Sequence, residues 1–271
     1  DKPKKLSPFR GEPKSPIAWV GGKSQLTRTI IPLIPEHTCY VEVFAGAAWV
    51  LFRKPESKAE IINDINLDLV TLYRVLQNHK QAFVDYFEHW LVSRSDFERL
   101  RGVDPATLTD IQRAARFFYL VKTSFGAKMV KPTFGVARTT GPRLNLLTLD
   151  ADLEVVRQRL ARVYIENRPY VDLIRLHDTP KTFFYLDPPY WDCEDDYGKG
   201  LFGKADFERL RNELAGCKAK WLVSINNVPQ IRELFKAFNI REVETSYSLS
   251  AVGRKPVTEL LISNYAWPDG C

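Results

Sequence analysis

The chain has 271 residues, 45% of them apolar, and a formal net charge of +6. That length can bury one sizeable core with a smaller module attached, and it holds neither an apolar run of membrane-spanning length nor an apolar signal segment behind Lys2, Lys4 and Lys5. Cys39, Cys193, Cys217 and Cys271 are scattered at spacings that suit neither a zinc site nor a disulfide framework, so the expectation is a soluble intracellular protein with free thiols and no metal.

The Lys/Pro-rich first dozen residues read as a flexible lead. Trp19-Val20-Gly21-Gly22-Lys23-Ser24 ends like a phosphate-binding loop. Such a loop needs a glycine five residues before Gly22, where Ile17 stands, so a nucleoside triphosphatase is excluded. Thr38 to Val43 reads as a strand, Phe44-Ala45-Gly46-Ala47-Ala48 as a small-residue turn, and Trp49 to Phe52 as a helix start. Glu60 to Asn63 is a second strand ending at Asp64, at the spacing where such folds hold a ribose hydroxyl. A dinucleotide pyrophosphate wants three glycines in that turn; with Gly46 alone, a cofactor without phosphates fits better.

Amphipathic helices are expected over Leu67 to Gln77, Gln81 to Leu91 and Ile111 to Lys122, then a Gly-, Pro- and Thr-punctuated loop or hairpin from Ser124 to Pro142. Phe117, Phe118 and Tyr119 are expected in the core. Between Asp110 and Asp150 there is no acidic residue, whereas Arg113, Arg116, Lys122, Lys128, Lys131, Arg138 and Arg143 are all basic. Without these seven the rest of the chain stands at about −1, so the basic excess is local and marks a polyanion surface, with Lys122, Lys128, Lys131, Arg138 and Arg143 as the candidates for phosphate or base contact. Ala151 to Arg162 reads as a helix leading to a strand at Val163 to Ile165. Helices over Phe207 to Ala215 and Val228 to Phe238 flank a strand from Trp221 to Ile225, and Glu242 to Ser250 with Val257 to Ser263 reads as an antiparallel hairpin.

The most specific feature is Asp187-Pro188-Pro189-Tyr190 directly after the apolar run Phe183 to Leu186. A buried strand that ends in a carboxylate, two prolines and an aromatic ring makes a rigid polar clamp beside a stacking surface. An exocyclic adenine amine is a poor nucleophile because its lone pair is delocalised into the ring. The Asp187 carboxylate and the Pro188 carbonyl can accept its two N–H bonds and favour the pyramidal, attacking geometry.

With these segments in order, the chain resembles the Dam-type adenine-N6 DNA methyltransferases. The matching pieces are Trp19 to Lys23, Tyr40 to Gly46, Asn63-Asp64-Ile65-Asn66, Asp187 to Tyr190, Trp221 to Asn227 and Arg254 to Tyr265. The resemblance implies S-adenosyl-L-methionine as cofactor, with Trp19, Lys23, Glu42, Phe44, Gly46, Asp64 and Asp187 as its contacts, and Asp187, Pro188, Pro189 and Tyr190 as the catalytic motif. Lys23 would meet the methionine carboxylate, Asp64 the ribose hydroxyls, and Trp19 would wall the adenine or sulfonium side. Ala48 stands where many relatives carry glycine, and the loop from Ser124 to Pro142 lacks the fuller Asn- and Gly-containing pattern of GATC-specific relatives.

The expected architecture is α/β: a Rossmann-like methyltransferase sheet with an antiparallel terminal hairpin, plus an inserted, mainly helical target-recognition domain. Residues 1–70 would form the cofactor half, 71–165 the DNA-binding insertion, and 166–271 the catalytic half of the same discontinuous domain. The implied substrate is double-stranded DNA with the target adenine rotated out of the duplex, in a cytoplasmic bacterial or phage-encoded protein whose protein partners and oligomeric state, a monomer among them, are left open by the sequence. N4-cytosine methylation, an RNA substrate and a catalytically degenerate DNA-binding module are the competing readings; a nicotinamide oxidoreductase is more distant.

Overall fold

The protein is described here by a computed structural model covering residues 13–19, 23–127, 132–136, 139, 141–194, 200–245 and 257–267. The basic lead, Val20-Gly21-Gly22, Lys128, Lys131, Arg138 and the stretch 246–256, which includes the second half of the strand expected from Glu242 to Ser250, lie outside the described residues.

The architecture is the α/β one expected. Strands β1 (Cys39–Glu42), β2 (Ala59–Asn63), β3 (Val163–Glu166), β4 (Thr182–Leu186), β5 (Lys220–Asn226), β6 (Asn239–Thr245) and β7 (Val257–Ser263) form one sheet in the order β3-β2-β1-β4-β5-β7-β6. The five strands from β3 to β5 run parallel, and β7 is antiparallel to both β5 and β6. Strand order reverses between β1 and β4, so the crevice at their carboxyl ends is where an open α/β sheet takes its ligand.

The central strands are covered on both faces, which is why β4, Thr-Phe-Phe-Tyr-Leu, is buried throughout instead of alternating. Val41, Phe184, Trp221, Val223 and Leu260 face one core, closed by α8 (Tyr170–His177), α9 (Lys204–Ala215) and α10 (Pro229–Leu234). Tyr40, Phe183, Tyr185, Leu222 and Leu261 face the other, shared with α2 (Trp49–Arg53), α3 (Leu67–Asn78), α4 (Lys80–Tyr86), α5 (Arg94–Arg101), α6 (Asp110–Thr123) and α7 (Leu149–Leu160). The short helix α1 (Thr27–Ile30) follows Lys23.

Local chemistry accounts for the helix starts. Asn66 caps α3 by accepting from the backbone N–H groups of Asp68 and Leu69, and Thr109 with Gln112 forms a capping box on α6. Phe117, Phe118 and Tyr119 are buried as expected. Helices α5 and α8 were not legible from pattern. The helix expected from Gln81 to Leu91 ends at Tyr86, and the one from Val228 to Phe238 spans only Pro229–Leu234. Between β2 and β3 the regular elements among the described residues are helices, and a single antiparallel bridge pairs Ser124 with Phe134. Among the described residues no helix is long and apolar enough to cross a membrane.

A buried ion triad ties the helical segment to the sheet. Arg159 on α7 donates to both carboxylate oxygens of Glu60 on β2, at 2.5 and 2.9 Å, and to the Leu51 carbonyl at 2.7 Å; Lys54 reaches the same carboxylate at 2.5 Å. Three charges taken from water are held by mutual pairing, and Lys54 also lies 4.3 Å above the Tyr40 ring.

Candidate active site

A cavity of about 340 Å³ opens at the strand-order reversal, and its walls come from the loops after β1, β2, β3 and β4. Trp19, Lys23, Glu42, Phe44, Gly46, Asp64, Asp187 and Pro189 all line it, so the sequence-expected cofactor contacts converge on one space. Tyr170, Leu201, Phe202 and Arg209 complete the wall and carried no sequence signal.

The turn after β1 is shaped by backbone demand. Gly46 has φ +47°, and a Cβ there would stand 2.8 Å from Trp19 Nε1. Its N–H donates to Asp64 Oδ2 at 2.9 Å, and its carbonyl accepts from the Tyr73 hydroxyl at 2.7 Å. Ala48 also lies in the left-handed region, at φ 50°, a conformation that glycine adopts without steric cost. Asn63, missed from sequence, pins the crevice floor: its amide donates to the Val43 and Arg168 carbonyls, and its oxygen accepts from the Arg168 N–H.

Asp64 faces the cavity with its oxygens oriented by backbone N–H groups of Gly46 and Asn66, each at 2.9 Å. Burial raises this carboxyl above its ordinary range, against those same hydrogen bonds. Glu42 is buried outright, accepts from the Tyr40 hydroxyl and the Leu51 N–H, and is pushed up to about 8 by loss of water, so it is mostly uncharged at neutral pH.

Asp187 follows the end of β4. Lys23 Nζ lies 2.8 Å from its Oδ1, and Ser224 on β5 donates to that oxygen at 3.4 Å. Burial pushes the Asp187 carboxyl up to about 6; Lys23 opposes that shift and the nearby Glu259 reinforces it. Tyr190 does not line the cavity but turns its hydroxyl to Lys23, at 2.5 Å, and to Glu259 on β7, at 2.7 Å. Lys23, expected at a cofactor carboxylate, is thus gathered with Asp187, Tyr190 and Glu259. Pro188 and Pro189 are buried beside them. Asn226 on β5 grips the following residue, accepting from the Trp191 N–H at 2.9 Å and donating to its carbonyl at 3.1 Å.

Of the DNA-contact candidates, Lys122 and Arg143 come together with Lys14 around a second depression of about 640 Å³. Lys122 is half-buried with its ammonium 5.3 Å from the centre of the Phe118 ring, and burial lowers its pKa. Two other positives of the segment are spent inside the fold: Arg113 on Asp68 at 2.5 Å, and Arg116 on the Leu100 carbonyl at 2.8 Å.

A parallel α/β sheet whose switch-point crevice ends in this carboxylate-Pro-Pro-Tyr clamp defines a Rossmann-like methyltransferase. The profile of the D12 class N6 adenine-specific DNA methyltransferases matches residues 19–249. The chain belongs to that family, and its activity is methylation of adenine N6 in DNA, which requires a methyl donor. Type II methyltransferase M.CviBI of Paramecium bursaria Chlorella virus NC1A is 28% identical to it over 92% of this chain and 98% of its own length. DNA adenine methylase of Salmonella typhi is 24% identical over 90% of this chain and 93% of its own. Among solved structures, precorrin 8W decarboxylase of Methanobacterium thermoautotrophicum superposes over 94% of this chain and 99% of its own with a TM-score of 0.41 and 10% identity, too weak a likeness to weigh.

Proposed function

We propose that the methyl donor is S-adenosyl-L-methionine, bound in the 340 Å³ cavity, and that the acceptor is an adenine turned out of duplex DNA toward Asp187. The observation that carries this reading is the convergence of Asp64, the Gly46 turn and Asp187 on one cavity at the strand-order reversal. The chemistry of the wall suits the donor. A carboxylate oriented by two backbone N–H groups would suit ribose hydroxyls, and the Gly46 turn, lacking a Cβ, lets the Trp19 indole close against the backbone as a flat wall of the cavity. Trp19, Phe44 and Phe202 offer apolar faces, and no phosphate cradle is needed. The bound cofactor supplies an electrophilic methyl on a sulfonium.

The chain's own residues do the rest. Asp187 accepts one N–H of the amine and the Pro188 carbonyl the other, which localises the nitrogen lone pair and disperses the positive charge that builds on it. Lys23, which lines the cavity, would meet the cofactor carboxylate in addition to the two protein carboxylates it pairs with. Tyr190 and the prolines hold the base in place, so catalysis is largely positioning. Residues 71–165 are assigned to target recognition, with Lys122, Lys128, Lys131, Arg138 and Arg143 on phosphates or bases. DNA as substrate puts the site of action inside the cell.

The experiment is competition: transfer of labelled methyl from S-adenosyl-L-methionine to duplex DNA, challenged with matched single-stranded DNA and RNA. Duplex substrate alone should be labelled efficiently. Preferred labelling of RNA would overturn the assignment.

A further inference from the structure

Glu259 lies mid-strand in β7, and its relative exposure is 0%. It stands opposite Asn226 in the β5–β7 ladder, so the two side chains share a face of the sheet, and Ser224 shares that face two residues along β5. These three polar side chains meet the loop after β4 at successive points: Ser224 at Asp187, Glu259 at Tyr190, Asn226 at Trp191. A carboxylate with no access to water is retained against a large desolvation cost, and nothing in the transfer step as described uses it.

The hydrogen-bond directions are set by atom type. Lys23 donates to the Tyr190 oxygen at 2.5 Å, which leaves the single phenolic proton for Glu259 Oε1 at 2.7 Å. Glu259 Oε2 lies 3.3 Å from Lys23 Nζ, so one ammonium serves both Glu259 and Asp187. Among the described residues two carboxylates, Asp187 and Glu259, share one ammonium, that of Lys23, at the place where the substrate amine gains positive charge.

We propose that Glu259 is a positioning residue for methyl transfer: its carboxylate fixes the Tyr190 phenol and shares the Lys23 ammonium, which keeps Asp187 free to act as an acceptor toward the amine. The inference rests on the reading of Asp187 given above. The titratable groups facing this carboxylate, among the described residues, are Lys23 from the segment before α1, Asp187 and Tyr190 from the loop after β4, and Tyr185 from β4; Glu42 on β1 acts on Asp187 from the far side.

The test is single-turnover methyl transfer by the full chain across pH 5 to 9 for wild type, Glu259→Gln, Tyr190→Phe, the double variant and Asp187→Asn. The amide keeps the shape of the carboxylate and removes its charge. The expected result for Glu259→Gln is a plateau rate lower by about tenfold or more, as for loss of a charge-assisted hydrogen bond. Its acid limb should move to lower pH because a like charge has left Asp187, and the double variant should lose little beyond the larger single loss. A plateau within twofold of wild type with an unmoved limb would overturn the role, as would fully additive losses. If Asp187→Asn turns over near the wild-type rate, the underlying reading of the site fails; if it is inactive while Glu259→Gln behaves as wild type, only the Glu259 role fails. Should Glu259→Gln not fold, Tyr190→Phe removes the same hydrogen bond from the other end, and a wild-type rate in that variant overturns the proposal.

Discussion

Gly46→Ala isolates what the turn after β1 contributes. The position is left-handed at φ +47°, a conformation that costs an alanine about 1 kcal/mol. Ala48 shows that the fold tolerates that cost nearby, so the decisive factor at Gly46 is space. The new methyl would lie 2.8 Å from Trp19 Nε1 and 2.9 Å from its Cδ1. An ordinary contact needs ~3.5 Å, so the indole has to retreat by about 0.7 Å, away from the wall it forms. The same backbone unit holds Asp64 through its N–H and Tyr73 through its carbonyl, so displacement cannot be absorbed by moving the turn instead. Together these cost on the order of 1–3 kcal/mol, divided between stability and the cavity. Calorimetric titration with S-adenosyl-L-methionine should show affinity lower by about tenfold or more. Thermal unfolding should show a midpoint reduced by roughly 2–4 °C for each kcal/mol lost from the fold. Wild-type affinity with an unchanged midpoint would refute the claim that Gly46 is required by the approach of Trp19.

Ala48→Gly should be nearly neutral in denaturant unfolding, since relief of about 1 kcal/mol of left-handed strain is offset by loss of a buried methyl worth about 0.8 kcal/mol; a change above about 1 kcal/mol in either direction would contradict that balance. Glu42 has a folded-state pKa raised to about 8 from its ordinary value, so its protonated form is the stable one inside the protein, and its contribution is lost as pH rises through 8. Glu42→Gln should therefore lose less stability than wild type as pH rises from about 4.5 to 8, with the two profiles parallel above 8; parallel profiles between pH 5 and 8 would exclude Glu42 as the source. Arg159→Met leaves Glu60 with Lys54 alone in a buried site and should cost roughly 3–5 kcal/mol of unfolding free energy, and a loss under 1 kcal/mol would mean the triad does not tie α7 to the sheet.

The catalytic strand was legible because β4 is buried on both faces and therefore reads as an unbroken apolar run ending at a polar clamp. The cofactor turn was legible because its small residues answer to a backbone demand, now visible as the positive φ of Gly46 and Ala48. Helix α5 escaped because Arg94–Arg101 buries only Phe97 and Leu100, too few apolar positions to set a period. Helix α8 was hidden behind Pro169 and a short span. Glu259 and Asn63 were invisible as site residues for a deeper reason. Each is a polar residue within an apolar strand, and its meaning depends on partners 69 and 105 positions away in the chain. The basic segment was legible as composition, but composition could not tell Arg113 and Arg116, which are bound into the fold, from Lys122 and Arg143 at a surface depression.

The most direct measurement is nucleoside analysis of unmethylated DNA after incubation with labelled S-adenosyl-L-methionine and either wild-type protein or Asp187→Asn, with cofactor binding measured in parallel. Wild type should yield N6-methyladenine, and Asp187→Asn should bind the cofactor yet give none, because the amide cannot act as a charged acceptor for the amine. Near-normal N6-methyladenine from Asp187→Asn, or N4-methylcytosine from the wild type, would contradict the assignment of the site.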